Sequence, residues 1–136
     1  MDQITVSASV EQVGMVIRFV NERLDAVGCS ARIKVQVDVA VDEIFSNIAH
    51  YAYTPEPGPA TIQVEVEEKP PCVIITFIDH GTPYDPLSDE RPDTTRLPKT
   101  KRPIGGLGLF LVKKTMDDVS YTYRDGQNIL SIRKKI

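Results

Sequence analysis

Three groups of residues in this 136-residue chain could do chemistry together. Glu43, Asn47 and His50 recur at spacings of four and three, which sets them on one face of a helix. There the Asn oxygen could complete the oxygen-rich shell that magnesium prefers. The carboxylate could accept a proton from an attacking hydroxyl or water. Asp79-His80-Gly81 closes an apolar run. An aspartate in that place can accept a hydrogen bond from an exocyclic amine such as that of adenine, and a glycine lets the chain turn close beneath a flat base. Gly105-Gly106-Leu107-Gly108 leads into an apolar helical stretch. Backbone amides at a glycine-rich helix start form an anion site.

Each group alone has a plainer reading. Charged helix faces are usually solvated, Asp and Gly are common in turns, and glycines often serve only to enter a helix. Taken together and in this order, they describe a nucleotide pocket. It is not a P-loop, since no GxxxxGK[ST] is present. Nor is it a dinucleotide fingerprint, because a third glycine is missing and a proline-rich stretch stands where a strand should precede.

The elements that must position these groups can be read from pattern. Ile4-Thr5-Val6 reads as a first strand. Ser9 and Gln12 have capping-box spacing before a helix over about residues 10–27, with Gly28 as a left-handed stop. Ser30 can cap a second helix to about Tyr53, with Ile33, Val37, Ala40, Val41, Ile44 and Ile48 as its buried stripe. Residues 61–67 alternate as a half-buried strand, and residues 72–78 form the continuous apolar run of a central one. Pro83, Pro86, Pro92, Pro98 and Pro103 make about 82–104 a long loop, expected to act as a lid. A third helix from Leu107 to about Met116 follows. Two alternating strands around Asp125-Gly126 then form a hairpin. The predicted fold is an α+β two-layer sandwich, a mixed and mostly antiparallel sheet with three helices on one face. Residues 1–136 form a single domain in this reading.

Composition narrows the function. The formal net charge of -3 disfavours a nucleic-acid surface. No apolar run approaches the roughly 18 residues that span a bilayer, and the N-terminus lacks a signal-peptide pattern. The expected compartment is the cytoplasm, where Cys29 and Cys72 are two free thiols. His50 and His80 lack metal-ligand spacing.

The joint pattern resembles the GHKL ATPases (gyrase, the heat-shock chaperone, histidine kinases, MutL). It is most similar to their stand-alone anti-sigma-factor serine kinases, over essentially the whole chain. That resemblance implies the histidine-kinase-like ATPase fold, ATP and Mg2+ as cofactors, Glu43 as catalytic base and Asn47 as magnesium ligand. It implies Asp79 and Gly81 for adenine, and Gly105, Gly106, Leu107 and Gly108 for the end of the ATP lid. The Asn-x-x-His spacing of the group adds His50 to the implied cofactor-binding residues. Three departures stand out. Pro83 replaces a family glycine. Ile104 precedes the lid glycines where the known kinases place an arginine nearby, leaving Arg102 as the nearest base for phosphate. Asn128 lies near a position where many relatives carry threonine, and either replaces that hydroxyl or has no part. The implied activity is phosphorylation of a serine on a small STAS-type anti-sigma-factor antagonist. A sigma factor as second partner and a homodimer are left open by the sequence. The alternative is an ATP-dependent protein-binding switch without kinase activity.

Overall fold

A computed structural model of the chain describes residues 1–53, 56–87 and 106–136. The order is β1 (Asp2–Ser7), a single 3-10 turn (Val10–Gln12), α1 (Val13–Ala26), α2 (Ala31–Tyr51), β2 (Pro59–Glu68), β3 (Pro71–Asp79), α3 (Gly106–Thr115), β4 (Asp118–Arg124) and β5 (Gln127–Lys135). The five strands form one sheet in the order β1-β2-β3-β5-β4, antiparallel at every pairing. β3, the most apolar strand, is at its centre. α2 packs between α1 and α3, and this helical layer lies against the sheet. The architecture is the α+β sandwich that the pattern predicts.

Local chemistry explains the boundaries. The Ser30 hydroxyl accepts from Ile33 N at 3.3 Å and caps α2. Gly28 takes φ +70 and stops the first helix. Asp125 and Gly126 both have positive φ, as a two-residue hairpin turn between Arg124 and Gln127 requires. The expected capping box at Ser9 does not form: its side chain makes no cap bond, and Gln12 N bonds the Ser9 carbonyl at 3.0 Å instead. A backbone-closed 3-10 turn therefore starts that helix.

The core lies between the layers. Val16, Val20 and Leu24 of α1, Val37, Val41, Ile44 and Phe45 of α2, and Ile62, Ile75, Phe77 and Ile132 of the sheet are fully buried or nearly so. Truncating a buried phenylalanine such as Phe45 or Phe77 costs about 3–5 kcal/mol, so this interface fixes α2 against β3. Those are the two elements that carry the polar groups of interest. Of the proposed lid, residues 88–104 lie outside the described residues. Among the described residues, no helix is long and apolar enough to cross a membrane.

Candidate nucleotide site

Strand alternation aims two polar residues at the helical layer. Asp79 continues the inward phase of Val73, Ile75 and Phe77 on β3, and Asn128 continues that of Leu130 and Ile132 on β5. The register sets Asp79 directly opposite Asn128. From above, α2 supplies Asn47, which is also buried. These three, at 4%, 6% and 7% exposure, are the buried polar or charged side chains among the described residues. All three line one open cleft. Its apolar walls include Ile44, Phe77, Leu109 and Leu130, and its rim carries Tyr51, Tyr84 and Tyr121.

At the α2 side, Asn47 Nδ2 donates to Glu43 Oε1 at 3.5 Å. The other end of the amide, Asn47 Oδ1, is buried without a hydrogen-bond partner. A buried acceptor in that state lacks the partner that such groups almost always have, and a cation on it would supply one. Glu43 is half-buried. His50, one turn on, is exposed and does not line the cleft; its ring stands 6.1 Å from that of Tyr51. The helix face read from sequence therefore fans out from the buried Asn47 to the surface.

At the base of the cleft, Asp79 Oδ1 accepts from Gly81 N and from Asn128 Nδ2, both at 2.9 Å. The Asn128 amide also donates to the carbonyls of Thr82 at 3.0 Å and Gly81 at 3.4 Å. Its oxygen accepts from Tyr84 N at 3.1 Å and from the Tyr121 hydroxyl at 2.5 Å. Burial pushes the Tyr121 phenol above its ordinary pKa, which keeps it a donor. Gly81 sits tight for a reason the sequence did not show. A Cβ there would meet the Ala52 carbonyl at the end of α2, beyond any room for a base.

Gly106, Leu107 and Gly108 form the first residues of α3, so the glycines do open a helix. Arg102 and Gly105 lie outside the described residues. The sequence reading left Asn128 open and did not find the three tyrosines of the rim. Asn128 had a usable signal, a polar residue on the inward phase of an alternating strand. The tyrosines had none, because their convergence depends on tertiary placement.

A family model described as a histidine kinase-like ATPase domain matches residues 6–134. Serine/threonine-protein kinase BtrW of Bordetella bronchiseptica is 34% identical over 103 residues, covering 76% of this chain and 71% of BtrW. Serine-protein kinase RsbW of Bacillus cereus is 30% identical over 95 residues, covering 68% of this chain and 58% of RsbW. The chain thus spans less than two thirds of the RsbW length. Among solved structures, one chain of the SiaB-SiaC complex from Pseudomonas aeruginosa superposes with a TM-score of 0.58 at 18% identity, over 98% of this chain and 89% of that one. The Acinetobacter baumannii histidine kinase AdeS gives 0.52 at 15% identity, over 99% of this chain and 68% of that one. Both structural likenesses are of fold. Family model and relatives agree over most of the chain: it belongs to the histidine kinase-like ATPase domain family.

Proposed function

We propose that this chain binds Mg-ATP in the cleft and transfers the γ-phosphate to a serine of a partner protein. The observation that carries the reading is the convergence of the three buried polar side chains, Asn47, Asp79 and Asn128, on one otherwise apolar cleft. The relatives named as serine or serine/threonine kinases support the reaction class.

In this reading Asp79 accepts from the adenine amine at the closed end, and the apolar walls with the tyrosine rim enclose the base. Gly81 holds the turn beneath it. Gly106, Leu107 and Gly108 at the start of α3, with Gly105 and Arg102 before them in the sequence, take the phosphates. Magnesium fits the unpartnered Asn47 Oδ1; bound there, it would neutralise phosphate charge. Glu43 takes the serine proton as the new O–P bond forms and the bond between the γ-phosphorus and the bridging oxygen breaks, releasing ADP. His50 lies exposed further along the same helix, outside the cleft lining. Such transfer depends on positioning and charge neutralisation more than on covalent help from the protein.

The partner class we adopt is the one implied by the resemblance to stand-alone anti-sigma-factor kinases. It is a small STAS-type antagonist, with a sigma factor held by the kinase, in transcription control in the cytoplasm. The test is transfer of labelled phosphate from Mg-ATP to a cognate antagonist. The expected result is label on one antagonist serine, lost with Glu43→Ala while ATP still binds. An intact protein that binds ATP but labels no antagonist would sink the kinase reading.

A further inference from the structure

The buried amide of Asn128 has every hydrogen-bonding position filled. Its oxygen takes two donors, the backbone N–H of Tyr84 and the hydroxyl of Tyr121. Its nitrogen faces three acceptors, Asp79 Oδ1 and the carbonyls of Thr82 and Gly81. An amide has two lone pairs and two N–H groups, so nothing is left over for a ligand. The orientation is also fixed. Flipping the amide would set its oxygen against a carboxylate and two carbonyls, and its NH2 against the Tyr84 N–H.

The consequence falls on Asp79. Among the described residues, both bonds to this carboxylate land on Oδ1, from Gly81 N and Asn128 Nδ2. Oδ1 is thereby occupied on both lone pairs, and the carboxylate plane is held between β3 and β5. Oδ2 is the oxygen left for whatever enters the cleft. We infer that Asn128 is a positioning residue for base selection, locking Asp79 so that one acceptor oxygen alone meets the ligand. This rests on the nucleotide reading above and adds a residue to it. The Asp79 acceptor then favours a base edge that offers an N–H. Because the same amide grips Thr82 and Tyr84, it also seats the segment leaving β3 against that carboxylate.

The test compares ATP with purine riboside triphosphate, which lacks only the 6-amino group, by direct binding titration of the full chain. A hydrogen bond to a charged group carries about tenfold to a hundredfold in affinity, so the native protein should prefer ATP by about tenfold or more. Asn128→Leu, of similar shape, should bring that ratio down by about tenfold, toward one. Tyr121→Phe removes one of the two donors that orient the amide and should lower it a few-fold. Affinity common to both nucleotides reports general damage and cancels in the ratio. A folded Asn128→Leu protein with the native ratio overturns the assignment. If that variant does not fold, an unchanged ratio in Tyr121→Phe overturns it. A native protein that binds neither nucleotide refutes the nucleotide cleft itself, and the assignment with it.

Discussion

Gly81 and Ala52 approach so closely that a Cβ on Gly81 would stand 2.1 Å from the Ala52 carbonyl oxygen. The same oxygen accepts from Thr82 N at 2.9 Å. The end of α2 and the exit of β3 are therefore one joint. The helix carries Glu43 and Asn47, and the strand carries Asp79, so this joint sets the spacing between the two ends of the cleft.

Gly81→Ala should be costly because the opposing atom is backbone and cannot swing aside. Overpacking of this kind costs about 1–3 kcal/mol, which lowers the melting temperature by about 4–12 °C in a chain of this size. ATP affinity should fall with it. Gly14→Ala is the control: nothing lies within 4 Å of its added Cβ, and the site is helical. It should stabilise by about 0.5–1 kcal/mol. Thermal unfolding of both variants checks the opposite signs.

Tyr53 reinforces the joint. Its hydroxyl donates to the Pro59 carbonyl at 2.6 Å and accepts from His80 N at 2.8 Å. Tyr53→Phe leaves both backbone groups without that partner and should cost about 1–2 kcal/mol near neutral pH. Burial raises the Tyr53 phenol in the folded protein. The unfolded chain then ionises first, so stability falls as pH rises through about 10 and beyond. The gap between native and Tyr53→Phe proteins should therefore narrow there, as denaturant midpoints at pH 7 and above pH 10 would show. A constant gap would contradict this role for the hydroxyl.

Asn47→Ala separates folding from function. The unpartnered Oδ1 is a burden on the ligand-free protein, so removing it should leave apo stability unchanged or slightly raised. It should also abolish the strengthening of ATP binding by magnesium. Asp79→Ala should instead weaken ATP equally with and without magnesium. Titrations with Mg2+ and with a chelator distinguish the two variants; identical magnesium dependence in native and Asn47→Ala proteins would remove Asn47 from the metal.

Why some of this was legible follows from periodicity. Asp79 ends a continuous apolar run, the DG turn joins two alternating strands, and Ile44 and Val37 sit on a clean helical stripe, so element order and the mostly antiparallel character of the sheet could be read directly. Ser9 was misleading because capping spacing does not reveal whether backbone or side chain closes the first turn. His50 shares a helical face with Asn47, yet the three-residue step turns it about 60° around the helix axis, which carries it out to solvent. Gly81 was found for its flexibility, but its constraint is contact with Ala52, 29 residues earlier in the chain. No local pattern encodes such a distance, and the same holds for the tyrosine rim.

Away from the cleft, Asp38 on α2 meets Asn21 on α1, and Asn21 Nδ2 donates to Asp38 Oδ2 at 3.3 Å. The remaining oxygens of the pair, Asn21 Oδ1 and Asp38 Oδ1, are both buried without a partner. Two acceptors and no donor between them is an unfavourable arrangement, and burial accordingly raises the Asp38 pKa, against the lowering pull of the Asn21 bond and of Lys34. A carboxyl whose folded pKa is raised binds its proton more tightly in the folded state. Its charge therefore opposes folding at neutral pH, and that opposition fades as pH falls through the folded pKa toward the unfolded value. Asp38→Asn keeps the acceptor for Asn21 Nδ2 and adds a donor for Asn21 Oδ1. It should stabilise by about 0.5–1 kcal/mol at pH 7, offset in small part by the lost attraction to Lys34. The gain should shrink as pH is lowered toward 4, where the native carboxyl takes up the proton that supplies the same donor. Melting curves at pH 7, 5.5 and 4 give the comparison, and a gain that grows on acidification would show that the pair is held together by charge.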